Sequence, residues 1–301
     1  MNDSEHSSQS ALVLGGGGST GNAWLIGVVA GLFEAGVDVT TADLTIGTSA
    51  GATAAAQITG ATPAELFANI LDAPPPPARP AGSAPGRPSA SPVANHMETT
   101  AAIIAAAADH DEMRRAMAAA ALDGDAASDG SWSAQWRATV APRLPRQIWP
   151  QRRLALTAVD ARTGDGVVFD QTSGVDLVDA VAASTAGGPL AYRIDDGRYI
   201  DGGYRTNAEN ADLAAGYGRV LVLSPFGGRT RMPLDWNMHL APQVERLRAE
   251  GSRVETIFPD SESEHLFGVH GMDLSLRPAA ARAGFEQGKV LAPQLADFWR
   301  S

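Results

Sequence analysis

A chain of 301 residues with 44% apolar side chains can bury one sizeable core and carry an insertion, so one elaborated domain is expected. Its formal net charge of -11 opposes nucleic-acid binding and gives no steering toward an anionic membrane surface. The absence of cysteine excludes disulfides, a thiolate nucleophile and thiolate metal sites, and Lys289, the one lysine among 23 basic residues, reads as codon bias.

The opening "MNDSEHSSQS" is polar, lacks the basic region of a signal peptide, and is read as a disordered tail over residues 1–10. No stretch approaches the roughly 18 apolar residues of a membrane span, and a cytoplasmic location is expected. Residues 11–14 read as a short buried strand, followed by a glycine loop and a helical pattern over 23–35 that ends at Gly36. Residues 44–46 form a second strand, which runs through Gly47-Thr48-Ser49-Ala50-Gly51 into a small-residue helix. Another helix is expected over 63–71.

Beyond it, residues 73–95 are too rich in Pro, Gly, Ser and Ala to pack, and are read as an insertion reaching about residue 98. Residues 99–122 are helical by propensity, with Ile103, Ile104, Met113 and Met117 on one face. Trp132, Trp136 and Trp149 stand among arginines, a pattern that the acidic total assigns to core or pocket wall rather than to nucleic acid. Two strands around a glycine turn are expected over 153–170, a helix over 175–183, and a hairpin turn at Asp196-Gly197 leading to Asp201-Gly202-Gly203. "RVLVLSPF" and "RVETIFPD" read as strands, 234–250 as a helix, and 277–300 as a closing helical region. Strands alternating with helices predict a three-layer α/β domain over 11–301 with a mainly parallel sheet.

Two chemistries compete for the first loop. Gly16-Gly17-Gly18-Ser19-Thr20-Gly21 fits the G-x-G-x-x-G spacing of a dinucleotide pyrophosphate site, and the same bare N–H groups could hold the oxyanion of an attacked ester. The second strand decides between them. A dinucleotide site places an acidic residue near that strand's end, whereas this strand ends in a G-x-S-x-G nucleophile elbow centred on Ser49.

A serine nucleophile needs a base. None of His6, His96, His110, His239, His265 and His270 sits in a glycine-rich or strand-end setting, while Asp201, at a strand end before two glycines, can approach Ser49 from a tight loop. On this reading the acid limb of activity is expected nearer the ordinary aspartate value of about 3.9, shifted upward by partial burial, than the histidine value of about 6.5.

These residues resemble those of the patatin-like phospholipases, a family of serine acyl hydrolases. The resemblance rests on the loop over 15–21 running into "IGVVAGL", on the elbow Gly47-Thr48-Ser49-Ala50-Gly51, and on Asp201-Gly202-Gly203 after "DAVAASTA". It implies an α/β/α patatin-like fold and a catalytic dyad of Ser49 and Asp201, with N–H groups of Gly16, Gly17 and Gly18 as the oxyanion hole. Gly47 and Gly51 would then shape the elbow, and Gly202 and Gly203 the aspartate loop. The implied substrate is a lipid or other acyl ester, with transient membrane contact and no metal or organic cofactor. A noncatalytic lipid-binding protein and a dinucleotide-binding oxidoreductase are the alternatives. The family loop carries a basic residue before its last glycine, whereas this chain has Ser19-Thr20-Gly21.

Overall fold

The computed structural model describes residues 9–74 and 92–300. Most of the proline-rich insertion and of the polar tail lies outside the described residues, as does His6. The strands are β1 (Ser10–Leu14), β2 (Leu44–Gly47), β3 (Arg153–Asp160), β4 (Gly166–Phe169), β5 (Tyr192–Ile194), β6 (Gly197–Asp201), β7 (Arg219–Leu223) and β8 (Arg253–Ile257). The helices are α1 (Gly18–Glu34), α2 (Ala50–Ile58), α3 (Pro63–Leu71), α4 (Pro92–Ala106), α5 (His110–Ala126), α6 (Trp132–Val140), α7 (Leu177–Ser184), α8 (Leu240–Ala249) and α9 (Arg277–Arg300).

The strands form one sheet in the order β5-β6-β3-β2-β1-β7-β8, with β4 also paired to β3. From β3 to β8 the neighbours are parallel, and β4, β5 and β6 join antiparallel. Alternation along the strands divides the core. Leu12, Leu14, Leu154, Leu156, Leu221 and Leu223 pack on one side with residues of α1, α2, α7 and α9, whereas Val13, Ile46, Val220 and Val222 meet α8 on the other. Strands covered on both faces explain why β1 reads as an uninterrupted apolar run. Chain connections diverge at β1, which runs to β2 and β3 on one side and lies beside β7 and β8 on the other. An open parallel sheet leaves a crevice at such a reversal, beyond the strands' carboxyl ends.

Three expected elements differ. Helix α1 begins at Gly18, five residues before position 23, so that Gly18-Ser19-Thr20-Gly21 forms its first turn. Tertiary packing overrides weak glycine propensity there: a Cβ on Gly17 would lie 2.5 Å from Cβ of Pro225, and one on Gly21 would lie 3.1 Å from it. The helical region at 99–122 is two helices. Asp109 accepts the Glu112 N–H at 2.7 Å and Glu112 accepts the Ala108 N–H at 2.8 Å, a reciprocal cap that starts α5 afresh. Helix α8 starts at Leu240, since residues 234–236 form only a single 3₁₀ turn.

Helix α9 closes the domain over α1. Gly27 and Gly31 face the carbonyls of Ala281 and Phe285, and Gly284 and Gly288 face those of Trp24 and Val28; any Cβ at these positions would collide with the opposite main chain. The seam is extended by a 3.1 Å bond from Trp24 Nε1 to Gln287 Oε1 and by Phe67 of α3 stacked on Phe285. At the other end of the sheet, Asp125 of α5 is clasped by Arg193 at 3.0 Å and Arg198 at 3.2 Å, which fastens α5 to the hairpin that ends in Asp201. The tryptophans are packing elements: Trp132 stacks on Trp136, and Trp149 Nε1 donates to the Val175 carbonyl. Among the described residues, no helix is long and apolar enough to cross a membrane.

Candidate active site

The end of β2 turns into α2 with almost no room for side chains. A Cβ on Gly47 would lie 2.6 Å from Cα of Ala52, and one on Gly51 would strike the Leu14 carbonyl, so both positions require glycine. Between them Ser49 adopts φ 54 and ψ -117, a left-handed backbone that costs a non-glycine residue about 1 to 3 kcal/mol. Its N–H donates to Ser184 Oγ at 2.9 Å, which ties the turn to the last residue of α7.

The Ser49 hydroxyl donates to Asp201 Oδ2 at 2.7 Å. Asp201 closes β6, its N–H donating to the Ala186 carbonyl at 3.0 Å, and its Oδ1 accepts the Gly203 N–H at 2.8 Å. Gly202 is packed so closely on Thr157 that a Cβ would collide with it, and a Cβ on Gly187 would lie 3.1 Å from Asp201 Oδ2. Loss of water around this carboxyl pushes its pKa up to about 6, against the lowering effect of the Ser49 and Gly203 hydrogen bonds. The direction is the expected one, but the shift is larger, since about 6 lies nearer the histidine value than about 3.9. Burial brings the aspartate into the range of an ordinary histidine, so the position of the limb no longer distinguishes the two residue types.

Asn210 holds the two halves together. Its Nδ2 lies 3.0 Å from both Thr48 Oγ1 and the Gly202 carbonyl, bridging the residue before Ser49 and the residue after Asp201. Thr48 and Thr157 add a hydroxyl contact of 2.9 Å beneath the elbow.

The glycine loop leaves β1 directly beside Ser49: a Cβ on Gly16 would lie 3.5 Å from Cβ of Ser49. Of the three glycines expected in an oxyanion hole, Gly16 already donates its N–H to the Ala208 carbonyl at 2.8 Å. Gly17 and Gly18 have no acceptor for their N–H groups among the described residues, and neither does Ala50, the residue after Ser49. Gly18 adopts φ 67, and a Cβ on it would lie 2.7 Å from the Gly271 oxygen, which also accepts the Thr20 N–H at 3.0 Å. The stretch around Gly271 thus occupies the helix turn where a pyrophosphate would have to bind.

Sequence reading missed Ser184, Asn210, Ala50 and one distant cation. Arg277, at the start of α9, donates to the Ser19 carbonyl at 2.7 Å, to Ser19 Oγ and to Asn22 Oδ1. A basic group therefore meets the loop from 258 positions away, although the loop itself has none. Burial lowers the pKa of Arg277 to about 10, with help from the charge of Arg143. Among the described residues no histidine hydrogen-bonds to Ser49 or Asp201. His265 Nδ1 contacts the Glu262 carbonyl, and His96 of α4 turns its ring to the Gly187 carbonyl.

The chain is thus a three-layer α/β protein with a serine and an aspartate joined at the carboxyl end of a mainly parallel sheet. No family model and no curated protein matches the sequence. Two solved structures are similar at low identity. VipD from Legionella pneumophila is 12% identical, with 95% of this chain and 67% of that one covered and a TM-score of 0.40. The complex of full-length SpcU with full-length ExoU, from the type III secretion system of Pseudomonas aeruginosa, is 15% identical, covers 93% and 52%, and has a TM-score of 0.33.

Proposed function

We propose that this protein is a patatin-like acyl hydrolase that cleaves fatty-acyl esters through Ser49 and Asp201. The reading is carried by one observation: a serine held at φ 54 on a strand-to-helix elbow, its hydroxyl 2.7 Å from a carboxylate whose pKa is raised to about 6. Raising a carboxyl's pKa makes it a stronger base while leaving it ionised at neutral pH. The glycine loop supplies the rest.

In the first step Ser49 Oγ attacks the ester carbonyl as its proton passes to Asp201 Oδ2. The tetrahedral oxyanion meets the N–H groups of Gly17, Gly18 and Ala50, each worth about 3 to 4 kcal/mol at a buried site. Collapse breaks the carbon–oxygen bond to the alcohol, which leaves with the proton from Asp201. Water then gives a proton to Asp201 and attacks the acyl group. Ser49 departs, recovers that proton, and the fatty acid is released. A dinucleotide reading is disfavoured by the Gly271 carbonyl seated on the first turn of α1.

A fluorophosphonate probe tests the proposal without knowledge of the natural ester. A single covalent adduct mapped to Ser49 by peptide mass is the expected result. An unlabelled but folded protein that still binds fatty-acyl ligands would favour the lipid-binding alternative.

A further inference from the structure

Beneath the oxyanion loop lies a carboxyl that this chemistry does not use. Glu209 is 0% exposed, and its Oε1 accepts one hydrogen bond, from Ser224 Oγ at 2.5 Å. Its Oε2 is buried with no partner, and no cation lies within salt-bridge distance among the described residues. The side chain supports Gly15, where a Cβ would lie 3.3 Å from Glu209 Cγ, and its neighbour Ala208 holds Gly16 through the 2.8 Å main-chain bond. Residues 208 and 209 therefore fasten the first two glycines of the loop, one through main chain and one through packing.

A carboxylate in this position is poorly accommodated. The groups that meet Glu209 are Gly15 after β1, Ser224 after β7, Asn207 of its own segment, whose Oδ1 accepts the Glu209 N–H at 3.0 Å, and Thr48 of the elbow at its main-chain carbonyl, and none titrates near neutrality. The charged members of its own segment, Arg205 and Asp212, pair with each other at 2.9 Å. The N–H groups of Gly15 and Gly16 are already engaged with the carbonyls of Leu223 and Ala208. An ionised Glu209 must therefore draw in water or break these loop bonds.

Resting on the hydrolase reading, we propose that Glu209 is a positioning residue that keeps the oxyanion loop in place only while its carboxyl is protonated, so that its ionisation ends activity on the alkaline side. Desolvation, opposed by the Ser224 bond and by the main-chain N–H of Glu209 itself, raises its pKa to about 7, which agrees with this assignment. Activity then requires Asp201 ionised and Glu209 neutral, so the two carboxyls set the acid and the alkaline limb of one pH profile.

The test is the rate of fluorophosphonate labelling at Ser49 from pH 5 to 9 in the parent protein and in Glu209→Gln, which retains a neutral group of the same shape. The parent rate is expected to fall about 10-fold or more between pH 7 and 9 and the Gln variant's less than about 2-fold, with the acid limb unchanged. An alkaline limb of the same size and position in both proteins overturns the proposal. A thermal-stability profile over the same range separates this outcome from failure of the hydrolase reading, because it needs no turnover: the parent should lose stability through pH 7 and the variant should not. Equal profiles in both proteins would overturn the buried-acid assignment itself.

Discussion

Ser49→Ala is expected to leave a folded protein whose ester hydrolysis falls by about 10⁴-fold or more, since loss of a nucleophile removes the covalent route and leaves only binding and oxyanion contacts. The two proteins should be compared on the same short-chain ester by burst and steady-state kinetics. The acyl-enzyme burst should vanish with the steady rate. The substitution also removes a hydroxyl from a strained turn, and alanine is no happier than serine at φ 54. Stability should therefore change little, so a fall in rate cannot be assigned to unfolding if melting is monitored alongside. Residual turnover within about 10-fold of the parent would show that another group attacks the ester.

Asp201→Asn carries the second large effect. Removing the base while retaining the shape should lower kcat by about 10³-fold, within the range of positioned general bases. On the proposed mechanism, the ionised aspartate is the active form in the parent. The acid limb of kcat/KM should therefore rise with pH, about 10-fold per unit, until it levels near pH 6, and it should be absent from the variant. Stability moves in the opposite sense. The pKa of Asp201 is raised from 3.8 to about 6 in the fold, so the native state holds its proton more tightly than the unfolded chain. Its contribution is full below 3.8 and is lost as pH rises through about 6. At pH 8 the Asn variant should thus melt above the parent while being nearly inactive. A melting temperature lowered by the substitution at that pH would mean that the carboxylate stabilises the fold.

The pairing of Ser49 with Asp201 was legible because each sits in a motif whose glycines have a steric cause. Gly47 and Gly51 let α2 press against β1, and Gly202 lets β6 lie on Thr157. The supports were not legible. Ser184 contributes one hydroxyl from just past the helix expected over 175–183, and Asn210 one amide from a loop, so neither residue carries a pattern. The loop was read as longer than it is, since Gly18-Ser19-Thr20-Gly21 has poor helix propensity and is wound into α1 by packing on Pro225 and the stretch around Gly271. The division between α4 and α5 did have a signal: Asp109 three residues before Glu112 is the spacing of a reciprocal cap. Propensity summed over an alanine-rich stretch concealed it. Arg277 shows a further limit, because a cation lent to the glycine loop from a distant helix is invisible to any local reading.

The glycine seam between α1 and α9 also sets the time at which the site can first exist. Every proposed catalytic group has been translated by residue 203, but the outer side of α1 stays bare until residues 277–300 emerge from the ribosome and dock against Gly27 and Gly31. Domains mature on the ribosome only as their packing partners emerge. Chains stalled shortly after residue 250 should accordingly take no fluorophosphonate, whereas those extended far enough to free α9 should take it. The growing polypeptide thus carries its whole chemistry in latent form, and arming it is left to a helix that makes none of the proposed bonds to substrate.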